Sequence, residues 1–455
     1  MTFSDRMSPL ELRASMGLAS IFGLRMLGMF VILPVFALYA EDLPGGNDHT
    51  LVGIALGAYG LTQAILQIPF GWLSDRYGRK AILYGGLVLF AVGSFVAAAA
   101  HDIYMIIFGR ILQGTGAISA AAIAMAADLT REQHRTKAMA LIGSTIGLTF
   151  ALSLVVSPLL NQWIGVPGIF TMTGVLALLA LLVVWWIPNP QRHALVSEQV
   201  GGKLNLVLKD AQLLRLNYGI FALQAVLMAL FIVVPFSLRK AGLELNRHWQ
   251  VYLPVMLVSF IAMVPAIIFA EKQNKLKQVF CAAVVLLLAT QVLAPWLLGS
   301  LWEIAVMLVA FFTAFNILEA MLPSLISRLA PVGAKGTAVG VYSSVQFFGV
   351  FLGAAVSGFL SQHYGTLAVF GFCTLLLMLW LIVVLSMKVQ GAVTTKMYSI
   401  PAMNGHQAGG LSRQLALVPG VKEVQVLAEE GVAYLQVDSR GFDEQNVVRL
   451  IAGEK

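Results

Sequence analysis

Charge is scarce in this chain: Asp, Glu, Lys and Arg together make up 11% of its 455 residues. A soluble domain carries about 25%, so a water-soluble enzyme is excluded. Cysteine is scarcer still. Cys281 and Cys373 stand alone, both inside apolar runs, which excludes a disulfide framework and a cysteine metal site. At the start, Asp5, Arg6, Glu11 and Arg13 precede a long apolar run with no small-residue cleavage site behind a short core. That is not the pattern of a cleaved signal peptide. No catalytic constellation is visible, and neither cofactor nor metal is expected.

Apolar residues are what the chain has, at 59% of its length and a mean hydropathy of +0.84. A spanning helix takes about 20 of them, and runs of that length recur almost to residue 388. They predict an all-α membrane protein with spans near 15–40, 50–73, 80–101, 103–128, 138–161, 166–188, 216–238, 249–270, 278–299, 303–327, 337–362 and 366–387.

The net charge of +7 is distributed by loop. Arg76, Arg79 and Lys80 follow the second span, and Arg131, Arg135 and Lys137 the fourth. Arg192, Lys203, Lys209 and Arg215 follow the sixth, and Lys272, Lys275 and Lys277 the eighth. The alternate loops hold Glu41, Asp42, Asp48 and Asp102, with Arg239, Lys240 and Arg247 as their only basic residues. This positive-inside asymmetry predicts that both termini are cytoplasmic. It accounts for the charge without nucleic acid; the lipid bilayer is the expected partner.

The charged segment from Asn189 to Asp210 divides the spans into two sets of six. Short stretches repeat between the sets: Arg135-Thr-Lys-Ala-Met-Ala140 aligns with Lys335-Gly-Thr-Ala-Val-Gly340, and Asp75-Arg76 with Glu271-Lys272. Repeats about an axis along the membrane normal are a known transporter architecture; chance likeness of short basic loops is the alternative. The expected divisions are 1–188 and 215–388 for two bundles, 189–214 and 389–395 for linkers, and 396–455 for a soluble unit. In the last, alternation and amphipathicity predict strands at 397–400, 424–427 and 432–437 and helices at 410–418 and 443–451. The order βαββα fits a small α+β unit of ferredoxin-like type, short of its last strand.

Gly71-Trp-Leu-Ser-Asp75-Arg76-Tyr-Gly78-Arg79-Lys80, between the second and third spans, resembles the signature loop of the major facilitator superfamily. Arg110-Ile-Leu-Gln113-Gly114-Thr-Gly116 resembles the helix-4 motif of its proton-coupled members. Leu27-Gly28 with Pro34-Val35 resembles the helix-1 motif of the twelve-span drug:proton antiporter branch. With the small terminal unit, the whole chain is most similar to the YajR-type transporters of that branch. The resemblance implies a twelve-helix fold of two six-helix bundles in a bacterial inner membrane, and proton-coupled export of a small amphipathic or drug-like molecule by alternating access. Gly143 and Gly147 keep the glycine spacing of an antiporter motif in helix 5, but Leu148 stands where proline would follow. Uptake by symport or uniport is therefore the alternative, and a receptor built on transporter architecture a distant third.

Residue chemistry gives the signature loop a role as a conformational switch. Gly71 lets backbones approach, and Gly78 permits a tight turn. Asp75 is placed to face the N-terminus of the eleventh helix around Gly336-Thr337, where a carboxylate is worth roughly 0.3–2 kcal/mol. Arg79 can reach Asp128 at the end of the fourth span. The bland alternative is that these residues only set topology and cap helices.

Three ionisable residues lie deep in spans: Arg25, Arg110 and Glu319. A charge at mid-bilayer costs at least about 2.5–3.5 kcal/mol, so such groups face a cavity or a partner. Glu319, the only deep acid, is the first choice for proton coupling or a cationic substrate, and an ion pair with Arg25 or Arg110 is the structural alternative. Asn316, one turn before it, shares its helix face. Gln63, Gln67, Gln113, Gln224 and Gln346 either line a cavity or bridge helices. The terminal unit also resembles metal-carrying ferredoxin-like domains, but Met403-Asn-Gly-His406-Gln lacks their cysteine pair. Soft-metal delivery needs thiolates, so metal carriage is not expected, and the ligand of this unit is not read from sequence.

Overall fold

The computed structural model describes residues 7–189, 200–273, 275–330, 334–387, 393–401, 404–427, 431–438 and 442–452. Asp5, Arg6, Arg192 and Met403 lie outside these. The first span is α1 (Pro9–Phe30) and α2 (Leu33–Ala40), parted at Val31-Ile32 just before Pro34. Then come α3 (His49–Tyr77), α4 (Arg79–Ala98), and α5 (Ile103–Thr115) with α6 (Ser119–Leu129), which share one span. The series continues with α7 (Glu132–Trp186), α8 (Val200–Lys209), α9 (Ala211–Lys240), α10 (Trp249–Lys272), α11 (Leu276–Leu293), α12 (Leu301–Leu329) and α13 (Lys335–Leu385). The short helix α8 lies where a plain linker is expected.

Helix starts follow capping chemistry. Ser8, Asp48, Asp102, Asp210 and Ser300 each accept a backbone N–H of the helix they open. Two acids of the alternate loops, Asp48 and Asp102, therefore serve as caps.

Among the described residues, ten helical stretches are long and apolar enough to cross a membrane. Two of them, Lys137–Trp186 and Gly336–Leu385, run 50 residues. A straight helix of that length would measure about 75 Å, against a hydrocarbon core of about 30 Å. Both reverse at a glycine: Gly165 has φ 65° and Gly365 φ 77°, a region where only glycine is comfortable. Each is thus two spans, giving twelve in all.

The two reversals correspond at one constant offset along the chain, with Gln162 and Gln362 before the glycines and Phe170 and Phe370 after them. Lys80 reaches the Trp185 carbonyl at 3.5 Å, and Lys277 the Leu385 carbonyl at 3.1 Å. In both sets a lysine thus caps the last carbonyls of the sixth helix, where a cation is favoured. These pairs give the repeat a structural content that short basic loops alone do not.

The first six spans pack on one another, as do the last six, and the sets meet along α3–α13, α2–α9 and α7–α10. At the α3–α13 seam a Cβ at Gly53, Gly57 or Gly60 would lie 2.3, 2.9 or 2.7 Å from the carbonyl oxygens of Ala354, Phe351 and Phe347. Only glycine allows that approach. It runs from mid-helix towards the end holding Glu41 and His49, called here the far end. At the signature-loop end the helices part. A methyl group at Gly143, Gly147, Gly336 or Gly340 would meet nothing within 4 Å, and Leu148 is 71% exposed. The far end is closed and the signature end open.

The terminal unit comprises β1 (Val393–Ser399), α14 (Gly405–Ala416), β2 (Val421–Leu427), β3 (Val432–Asp438) and α15 (Glu444–Ala452). Its three strands are antiparallel in the order β1-β3-β2. Leu415, Ala433, Leu435, Val437 and Val447 form its core. The first strand starts earlier than the expected Met397, because Val393 pairs with Asp438. The first helix starts before Gly410, because Asn404 and Gln407 close a capping box that carries it through Gly409-Gly410.

Candidate functional site

The signature loop lies between α3 and α4. Gly78 turns the chain at φ 100°, and a Cβ on Gly71 would stand 3.3 Å from Ala120. Arg79 is the hub. Its Nε donates to Asp128 Oδ2 at 2.9 Å and its Nη1 to Ser74 Oγ at 2.7 Å, and it is ion-paired with Asp75. Ser74 in turn donates to the Gly71 carbonyl at 2.7 Å. Arg76 is exposed and lies 5.7 Å from the rings of both Trp72 and Tyr77. Among the described residues Asp75 pairs with Arg79 rather than with the start of α13, and its side chain is half-exposed.

The two deep arginines share one neighbourhood in the first six spans. Arg25, 1% exposed, donates from Nη1 to Ser119 Oγ at 2.7 Å and from Nη2 to Tyr59 Oη at 2.8 Å. Arg110, 2% exposed, donates to the carbonyls of Ala55 and Leu56 at 3.3 and 3.2 Å and to Gln113 Oε1 at 3.0 Å. Gln113 passes the chain on to Ser94 Oγ at 2.7 Å, and Gln63 donates to the Gly114 carbonyl at 2.9 Å. The guanidinium of Arg110 stands 5.1 Å from the Tyr59 ring centre and that of Arg25 5.9 Å. Every named partner is neutral. Arginine cannot shed its proton in a protein, so this pair is a fixed double positive charge inside the first set of helices.

The acid lies in the other set. Glu319 is half-buried on α12; its Oε2 accepts from Gln224 Nε2 at 3.1 Å and its Oε1 from Gln346 Nε2 at 3.3 Å. Tyr342, on α13 one turn before Gln346, is buried, and its hydroxyl has no hydrogen-bond partner. Asn316 donates to Ser259 Oγ at 3.3 Å, bridging α12 to α10. No ion pair joins Glu319 to Arg25 or Arg110 among the described residues.

Gln224 and Gln346 thus hold the acid, while Gln63 and Gln113 bridge helices. Gln67 is fully buried with both amide atoms unpartnered. Tyr59, Ser119, Ser74 and Tyr342 are the participants that sequence reasoning missed. Tyr59 alone carried a signal, as an isolated phenol within a run that is otherwise apolar from Val52 to Leu61.

Comparison with known proteins follows from this geometry. Residues 18–354 match the family model of the Major Facilitator Superfamily. A relative from Escherichia coli K12, called inner membrane transport protein YajR, is 44% identical over 438 residues, covering 96% of each chain. The multidrug resistance protein MdtH of Aeromonas salmonicida is 26% identical, over 69% of this chain and 79% of its own. Among solved structures, the human organic anion transporter MFSD10 superposes with a TM-score of 0.65 at 17% identity, over 83% of this chain and 100% of its own. A bacterial homologue of the human lysosomal transporter Spinster does so with the same TM-score at 14% identity, over 83% and 94%.

Proposed function

The chain belongs to the major facilitator superfamily of secondary transporters, and we propose that it exports a small amphipathic or drug-like molecule in exchange for protons. One observation carries this reading. Glu319 is a half-buried carboxylate held by two neutral amides, with no cation paired to it among the described residues. A carboxylate so placed is free to hold either a proton or a cationic group of a substrate, and competition between the two is the coupling. Arg25 and Arg110 cannot exchange protons and serve as the fixed charges of the transport core. Gln113 and Asn316 brace their helices.

The basic loops place the signature end in the cytoplasm, so this conformation is open to the inside. Both termini and the terminal unit are then cytoplasmic, and the membrane is the inner one, as the name of the E. coli relative says of that protein. Gly71, Asp75, Arg76, Gly78, Arg79, Lys80 and Asp128 act as the conformational switch. Arg79 holds Asp75 while the inside is open, and Asp75 turns to the N-terminus of α13 when the signature end closes. The antiparallel order β1-β3-β2 supports a ferredoxin-like unit at 396–455 without its fourth strand. Its ligand or partner is left open.

Uptake is the second reading, because Leu148 occupies the place of the antiporter proline and is itself exposed. Proton flux in everted vesicles decides between them. A chemically broad compound panel is tested on wild type and Glu319→Gln at matched expression. Compound-dependent proton release that the substitution abolishes supports exchange through Glu319. Release that persists removes Glu319 from coupling, and compound-driven flux in the opposite sense establishes uptake.

A further inference from the structure

The far end holds a cluster that no part of the switch or the transport core uses. Glu41, which closes α2, takes a bidentate ion pair from Arg239 near the end of α9, at 2.6 and 3.0 Å. His49, first residue of α3, donates its backbone N–H to Gln362 Oε1 at 2.9 Å, and its Nδ1 lies 3.1 Å from Ser361 Oγ on α13. Phe236 joins the two contacts. The His49 ring stacks on it with centroids 5.3 Å apart and planes 12° from parallel, and the Arg239 guanidinium lies 5.4 Å from its centre. Asp42 adds a second carboxylate within electrostatic range of Arg239.

Each of these contacts crosses from the first six spans to the last six. Behind them the Gly53, Gly57 and Gly60 backbones lie against α13. At the signature end the corresponding helices have parted. We propose that Glu41, His49, Phe236, Arg239 and the Ser361-Gln362 pair form a clamp that sets the population of the far-closed state. The clamp rests on the alternating-access reading above. Its chemistry fits a device that must release. The bidentate pair gives direction, yet Arg239 is 49% exposed and Glu41 31%, so water replaces the pair cheaply when the bundles rock. A half-exposed pair is worth roughly 0.2–1 kcal/mol, enough to bias two states without locking either.

The test reads distances and needs no substrate. In a Cys281→Ser, Cys373→Ser background, spin labels are placed at His101→Cys and Tyr364→Cys, exposed far-end positions on opposite sets of helices. Double electron–electron resonance is recorded in lipid nanodiscs. Glu41→Gln and Arg239→Gln are each expected to raise the long-distance population about 1.5- to 5-fold, the range set by a pair of that strength. The exchange Glu41→Arg with Arg239→Glu is expected to return it towards wild type, which a merely misfolded variant would not do. Unchanged populations in both single variants overturn the clamp, and so does a shift that the exchange fails to reverse. A second label pair, Ala81→Cys with Gln273→Cys at the signature end, tests the reading beneath it. Opening of the far end while this pair keeps its distance leaves the clamp standing and defeats two-sided rocking.

Discussion

The hydroxyl of Tyr59 accepts an N–H from Arg25 at 2.8 Å, and the same ring faces Arg110 on one side and Phe347 of the opposing helix on the other. Phe347 meets it edge-on at 6.1 Å, next in sequence to Gln346, which holds Glu319. One phenol therefore touches both fixed charges and the element that carries a partner of the acid.

Tyr59→Phe keeps the ring and removes the acceptor. Arg25 Nε is already without a partner, so Nη2 would join it as a second orphaned donor. A lost hydrogen bond to a charged group costs about 1.5–3 kcal/mol, and the variant is expected to melt several degrees below wild type. Tyr59→Leu, which also loses the stacking surface, is expected to fall further. Thermal unfolding of purified protein in one detergent gives the comparison; equal midpoints for Tyr59→Phe and wild type would mean that Arg25 finds another acceptor.

The spans were legible because apolar length is a strong signal, and the terminal unit because its strands alternate. The reversals at Gly165 and Gly365 were legible only as gaps between runs, since helical hydrogen bonding resumes on either side. The site was legible by residue type and not by partner. Hydropathy marks Arg25, Arg110 and Glu319 as deep, but a span that is apolar on every face has no period to reveal its rotation. Nothing in the sequence therefore says that Glu319 meets two glutamines and not an arginine. Arg79 with Asp128 was the exception, because both lie at helix ends, where position along the chain nearly fixes position in space.

The reversals make a backbone prediction. A Cβ at Gly365 would meet nothing within 4 Å, so Gly365→Ala is penalised by its φ of 77° alone, about 1–2 kcal/mol. Gly371, later in the same helix and equally uncrowded, has no such constraint, and Gly371→Ala should be neutral or slightly stabilising, by up to about 1 kcal/mol. Opposite signs of the two substitutions in one thermal unfolding assay are expected. A neutral Gly365→Ala would show that the reversal tolerates a different backbone path.

The terminal unit carries a pH prediction. Glu444 on α15 accepts from Lys396 Nζ at 2.8 Å and from Tyr398 Oη at 3.0 Å, both on β1. The Lys396 ammonium, then the Tyr398 hydroxyl, hold the Glu444 carboxyl below its ordinary range. Burial, then the Glu444 carboxylate, push the Tyr398 phenol up. A carboxyl depressed in the folded state contributes stability that is complete above its unfolded value of about 4.3 and fades as pH falls through the folded value. A raised phenol contributes below its unfolded value of about 10 and fades above that. Between about pH 5 and 9, wild type should therefore exceed Glu444→Gln by a constant margin. Towards pH 3 the margin should shrink, because the wild-type carboxyl is then protonated like the amide that replaces it. Amide exchange of β3 in the full-length protein, corrected for its intrinsic rate, reads that margin directly. If the margin stays constant into the acid range, the Lys396–Glu444–Tyr398 contact is not what joins α15 to the sheet.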